Sequence, residues 1–124
     1  MQDGTIYAGR GKGAKPFYAA PCDVHTTMVF NNAAAFVKQT NDQKYMGFND
    51  WRLPTRAELN ILYLFQNEGA FVSTFQGKDH GPKGWYWTSE RLNDDVAYDQ
   101  KFCDGSTELH SVTGSFSSIR LVRG

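Results

Sequence analysis

The sequence predicts an α+β fold in a single domain spanning 1–124, with two helices packed on short antiparallel sheets and long loops between them. Three observations carry this reading. Thr55 and Glu58 have capping-box spacing and open an apolar run directly after an extended Trp51-Arg52-Leu53-Pro54. The segment from Phe30 to Gln39 repeats Ala33, Phe36 and Val37 at helical spacing. The last third alternates with period two on both sides of Asp104-Gly105, the pattern of an antiparallel hairpin.

In chain order, Thr5–Gly9 and Pro16–Ala20 are short and rich in β-formers. The loop between them, Arg10-Gly11-Lys12-Gly13-Ala14-Lys15, has the composition of a phosphate cradle. It lacks the Gly-Lys-Ser/Thr that opens a phosphate-binding helix, so a hairpin loop using glycine's positive φ is the plainer reading. His25 stands alone in a turn-rich connection and reads as a solvated side chain. The first helix runs from Phe30 to Gln39 with Asn31 as its cap, and Thr40-Asn41-Asp42 ends it. Tyr45-Met46-Gly47-Phe48 leads into the central motif.

Pro54 fixes its own φ and biases Leu53 towards extended backbone. The second helix is expected from Arg56 to about Phe65. Its apolar residues, Leu59, Ile61, Leu62, Leu64 and Phe65, run nearly all the way round, which predicts a central, largely buried helix. Residues 66–83 read as a long loop with a short strand at Ala70-Phe71-Val72. His80 in that loop has no identifiable nucleophile or orienting partner and reads as a surface turn.

Gly84-Trp85-Tyr86-Trp87-Thr88-Ser89 reads as a strand with Trp85 and Trp87 on one face and Tyr86 on the other. One face is assigned to the core and the other is left open. Asn93-Asp94-Asp95 has calcium-ligand chemistry, but calcium needs six to eight oxygens from a shaped loop, so a polar turn is the plainer reading. A strand from Val96 to Cys103, the Asp104-Gly105 turn and a strand from about Ser106 to Val112 form the hairpin. Thr113-Gly114-Ser115 turns again, and Ser118–Arg123 is a last strand with Ile119 and Leu121 on one face.

Composition excludes several functions. Lys plus Arg equals Asp plus Glu at 13 each, against a general nucleic-acid binder. No apolar run approaches the roughly 20 residues of a membrane span, and no signal peptide is visible at the N-terminus. The two cysteines, Cys22 and Cys103, form no metal-ligand spacing, so neither a metal nor another cofactor is expected. One disulfide fits the count, but without a secretion signal two thiols are favoured. No catalytic triad or carboxylate pair is defensible, so no enzymatic activity is expected.

Asp50-Trp51-Arg52-Leu53-Pro54-Thr55 with Glu58-Leu59 resembles the signature of the Lcl C-terminal-domain family. Gly84–Ser89, Ala97–Gly105 and Ser118–Arg123 agree with it in the right order, so the likeness runs from about Tyr7 to the C-terminus. The resemblance implies a C-type-lectin-like fold of the kind also used by formylglycine-generating enzymes. It further implies a ligand surface on the C-terminal strands and loops. One subset of such domains is the variable proteins of diversity-generating retroelements, in which adenines in the C-terminal coding segment are mutagenised. Leu92–Phe116 looks like such a segment, because Asn93, Asp95, Val96, Tyr98, Ser106, Leu109, His110, Ser111, Val112, Thr113 and Ser115 are all reachable by changing adenines in an Asn codon. Gln100, Lys101 and Glu108 are not so reachable and should be scaffold.

The expected function is therefore non-enzymatic binding of a protein or glycan on a cell or virion surface. Tyr98, Leu109 and Phe116 would be apolar anchors. Asn93, Asp95, Ser106, Thr107 and His110 would supply hydrogen bonds, with Val96, Ser111, Val112, Thr113, Ser115 and nearby Tyr86 completing the contact set. The rivals are a fixed-specificity glycan- or glycosaminoglycan-binding adhesin module and, less favoured, a formylglycine-generating-type enzyme. Oligomeric state and compartment are left open.

Overall fold

The structure is a computed structural model that describes residues 5–8, 17–24, 27–67, 69–71, 74–75 and 84–124. The 10–15 loop, His25, Val72 and His80 lie outside the described residues. The elements in order are β1 (Ile6–Tyr7), β2 (Tyr18–Ala19), α1 (Phe30–Asp42), a 3-10 turn (Tyr45–Gly47), α2 (Arg56–Leu64), a second 3-10 turn (Gly69–Phe71), β3 (Trp85–Arg91), β4 (Val96–Lys101), β5 (Thr107–Ser111) and β6 (Val122–Arg123). They form two antiparallel three-stranded sheets, ordered β1-β2-β6 and β3-β4-β5. The α+β expectation holds in these two helices and two small sheets.

The segment 117–123 sews the two sheets together. Ser117 bridges Met28, Ser118 bridges Tyr86, and Val122 bridges Arg52. The N–H groups of Ala20 and Val24 donate to the carbonyls of Leu121 and Ile119. Residues 117–122 are all buried, and only Val122–Arg123 pairs as a regular strand, which shortens the strand expected from Ser118. Ser118 and Ile119 bond instead to β3 and the 20–24 segment, as the chain crosses between sheets.

Both faces of β3-β4-β5 are packed. Tyr86 faces one apolar cluster with Phe17, Leu59, Leu62, Phe75 and Phe102. Trp87 faces a second with Phe30, Ala33, Trp51, Ala97 and Ile119. The predicted alternation of Trp85 and Trp87 against Tyr86 is therefore present. The face that the sequence leaves unassigned is packed as well, so each side of β3 meets a core. Truncating either of these buried rings to alanine would cost about 3–5 kcal/mol.

The helices differ from expectation for tertiary reasons. Val29, not Asn31, is the N-cap of α1, and no side chain caps it. Asn31 sits in the first turn, where its N–H donates to the Val112 carbonyl and its Oδ1 accepts from Arg91. At the other end the helix runs through Thr40-Asn41-Asp42. The Thr40 hydroxyl donates to the Phe36 carbonyl at 2.8 Å, and the Asn41 side chain pairs with both backbone groups of Trp51 at 2.7 and 2.9 Å. Ala33 is buried as expected, whereas Phe36 and Val37 are only partly buried. Helix α2 buries one face, Leu59, Ile61 and Leu62, and leaves Leu64 exposed, so it is amphipathic rather than enclosed. Gly69–Phe71 is a 3-10 turn where a strand was expected.

The start of α2 follows the sequence closely. Thr55 Oγ1 accepts from the Glu58 N–H and Glu58 Oε1 accepts from the Thr55 N–H, the complete capping box. Arg52 grips the same carboxylate with both guanidinium nitrogens at 2.6 and 2.7 Å. Burial alone would raise the Glu58 carboxyl, but the hydrogen bonds from Arg52 and Thr55 and the Arg52 charge outweigh it and hold it below the usual range. Trp51 is anchored beside this fork by its Nε1–H to the Tyr45 carbonyl at 2.8 Å.

Candidate functional site

The β3-β4-β5 meander carries the segment singled out by sequence. Its register puts Val96 beside Ser111, Tyr98 beside Leu109 and Gln100 beside Thr107 on one face. The other face carries Ala97 beside His110, Asp99 beside Glu108, and Trp85 beside Lys101. Helix α2 roofs the first face over β4. Gln100 Nε2 donates to Asn60 Oδ1 at 2.9 Å and to the Gly105 carbonyl at 3.1 Å, and the Arg56 guanidinium lies 3.9 Å over the Tyr98 ring. β5 is the sheet edge, and its Thr107, Glu108 and Leu109 are exposed.

Apart from His110 on the opposite face and the interior Tyr86 and Val112, the predicted contact residues separate into three groups. Thr107, Leu109, Tyr98, Val96 and Ser111 share the first face, with Leu109 38% exposed beside a half-buried Tyr98. At one end, the 93–95 and 113–115 turns are drawn together by the Val112 N–H, which donates to the Asp95 carbonyl at 2.9 Å. Asn93 Oδ1 holds its turn by accepting from the N–H groups of Asp95 and Val96. Ser111 Oγ does the same for Thr113 and Gly114. Leu92 and Phe116 are both 56% exposed. Ser106 lies at the opposite end of the hairpin, a strand length of about 17 Å away. Its N–H is held by Asp104 Oδ1. The set is thus one face and two ends rather than one patch.

Two expected contact residues are interior. Tyr86 is 0% exposed, and its hydroxyl donates to Asp23 Oδ2 deep in the molecule. Val112 is 2% exposed and packs in the cluster with Trp87 and Ile119. Adenine reachability put Val112 in the expected contact set, but the chain turns inward there, its carbonyl bonding the first turn of α1. Neither side chain can touch a surface ligand.

The opposite face holds a polar cluster that sequence reasoning missed. Asp99 is fully buried and accepts from His110 Nδ1 at 2.7–2.8 Å and from the Ser117 hydroxyl at 3.1 Å. Burial pushes the Asp99 carboxyl up to about 6, although the hydrogen bond and charge of His110 and the Ser117 hydroxyl pull it down. His110 Nε2 points towards exposed Glu108 at 3.9 Å. The half-buried Trp85 ring meets the imidazole edge-on at 4.9 Å, and Lys101 Nζ stands 5.7 Å from the Trp85 centroid. Ser117 donates to Asp99 rather than to the imidazole, so the three groups are not in the order that activates a serine. The available signal was the i, i+2 pair Glu108 and His110 opposite Asp99 and Ala97 on an alternating hairpin.

Neither cysteine is disulfide-bonded, and both are exposed. Cys22 lines a cavity beside α1, while Cys103 sits in the β4–β5 turn. Among the described residues, no cluster of three His, Cys, Asp or Glu is placed to hold a metal ion. No helix among them is long and apolar enough to cross a membrane.

The comparison with curated proteins returns no match. A family comparison matches residues 11–123, nearly the whole chain, including the Trp51–Glu58 capping motif, the β4–β5 hairpin and the 117–123 seam. The chain belongs to the Lcl C-terminal domain family.

Proposed function

We propose that this domain is a non-enzymatic binding protein on a C-type-lectin-like scaffold, with a C-terminal surface diversified as in the variable proteins of retroelements. One observation carries the reading. The adenine-reachable residues Asn93, Asp95, Ser106, Leu109 and Thr113 are exposed on turns and the sheet edge, while Gln100, outside that set, is buried and bonded to α2; Val112 inside the set is buried and Glu108 outside it is exposed. Variation at the five exposed positions leaves the scaffold contacts of Gln100 intact. Tyr98, Leu109 and Phe116 supply apolar area, and the short polar side chains around them supply adaptable hydrogen bonds, the division of labour of an antibody paratope. Tyr86 and Val112 belong to the scaffold in this reading. The partner is a protein or glycan on a cell or virion surface.

Deep sequencing of the locus in its source population tests this. Substitutions should fall on adenine positions of codons 92–116, sparing Gln100, Lys101 and Glu108. An unvarying segment would remove the diversification. The half-buried Trp85, flanked by Lys101 and His110, favours a second reading as a fixed-specificity glycan-binding module. A glycan array with the wild-type domain and Trp85→Ala distinguishes the two. Loss of an array signal on that substitution supports the fixed site.

A further inference from the structure

A cavity of about 340 Å³ lies between α1, the 20–24 segment, Tyr45 and Leu121, and shares no residue with the display hairpin. Its buried wall is Ala20, Asp23, Thr40 and Leu121, and the half-buried Val24 and Phe36 extend it. Its mouth is polar and exposed: Gln39 in the last turn of α1 and Gln43 at its C-cap, with Tyr45 and Cys22. The volume sits at the low end of small-molecule pockets, and an apolar floor with a few convergent polar groups is the usual composition of such a site.

The charges narrow the ligand. Asp23 is the one ionisable carboxylate among the described lining residues, and it already accepts from Arg120 Nε at 2.9 Å and from the Tyr86 hydroxyl. An anion would meet that carboxylate, and a cation would have to compete with Arg120 for it. Tyr45 stays a neutral phenol: burial raises it, and the neighbouring Cys22 raises it further. The mouth therefore offers amide, phenol and thiol groups and no free charge.

We propose that this cavity is a second binding site, for a small neutral aromatic molecule carrying one hydrogen-bonding group, such as a phenol. The ring lies against Phe36, Val24 and Leu121, and the polar group meets Gln39, Gln43 or the Tyr45 hydroxyl at the mouth. Cys22 reports occupancy, because a bound ligand covers its thiol.

The two cysteines make the test internally controlled. The intact chain is alkylated with iodoacetamide, and each site is followed by peptide mass spectrometry with and without p-cresol. At p-cresol near ten times its dissociation constant, Cys22 labelling should slow about tenfold, with Cys103 unchanged. Benzoate, the anionic counterpart, should not protect. Gln39→Trp, at the exposed mouth, should abolish protection while leaving the melting temperature intact. No protection up to the solubility limit of p-cresol, equal slowing at Cys103, equal protection by benzoate, or protection that survives in a folded Gln39→Trp variant would each overturn the proposal.

Discussion

Asp23 and Asp99 are both buried carboxylates, and each is held by a basic side chain distant in sequence or across a strand pair. Their partners differ. Asp23 faces Arg120, itself fully buried, whose guanidinium also donates to the carbonyls of Ala20 and Thr74 and lies 3.8 Å over the Phe75 ring. Asp99 faces His110, about a third exposed at the sheet edge. Arginine keeps its charge at any physiological pH, while a carboxyl raised to about 6 does not. The first pair therefore fixes the seam between the sheets, and the second leaves the β4–β5 hairpin with a carboxyl that titrates near neutral pH.

The largest effect expected from this contrast is at the seam. Arg120→Met strips Asp23 of its guanidinium and should cost about 3–5 kcal/mol in urea denaturation. Adding Asp23→Leu should recover much of the loss, because a buried ion pair replaced by apolar groups is often neutral. If Arg120→Met costs as much with Asp23→Leu as without it, the ion pair is not what Arg120 contributes.

A smaller cost is expected where the hairpin meets the scaffold. Gly105 has φ 82°, and a Cβ there would stand 2.8 Å from the Tyr63 ring. Gly105→Ala should destabilise by about 1–3 kcal/mol, from left-handed strain plus displacement of that ring. A cost of the same size in a Tyr63→Ala background would assign all of it to the backbone.

Sequence made the local half of this architecture legible. Thr55 and Glu58 announce α2 because a capping box is closed within four residues. Asp104-Gly105 announces the hairpin because positive φ is a property of one position. What was missed depends on distant partners. Asp23 and Arg120 are 97 residues apart, and no periodicity connects them. Asn31 looks like a cap, but its N–H is taken by Val112 across the fold. Val112 looks like a contact residue by its codon and Tyr86 by its place on the strand, yet neither signal says whether another layer lies over that side. The segment was legible as a hairpin, and only packing divided its residues into exposed and buried.

The second carboxylate gives a pH test. The unfolded Asp99 carboxyl ionises near its ordinary value, close to pH 4, whereas the folded one keeps its proton until about 6. Between these values the folded state binds more protons, so the Asp99 contribution to stability falls as pH rises through that window. Glu58 works the other way, since its lowered carboxyl contributes stability that is lost as pH falls. The two are separated by taking a difference. The melting temperature of Asp99→Asn minus that of the wild type should climb from about pH 4 to about pH 7. A difference that is flat over this range would mean that Asp99 titrates normally in the folded protein.

The smallest effects are expected at the exposed residues of the hairpin, and they bear most directly on the contrast between seam and hairpin. Thr107, Leu109 and Thr113 are exposed, and their side chains are not what ties β5 to β4. Thr107→Ala, Leu109→Ser and Thr113→Ala should each shift stability by no more than about 0.5 kcal/mol. The triple variant should lie near the sum, because Thr107 and Thr113 stand at opposite ends of the hairpin. Against the seam's 3–5 kcal/mol for one residue, three hairpin residues together should cost about 1.5 kcal/mol or less. A triple variant that loses 3 kcal/mol or more would show that the edge strand is itself structural, and a surface that cannot vary without unfolding its scaffold cannot be a diversified one.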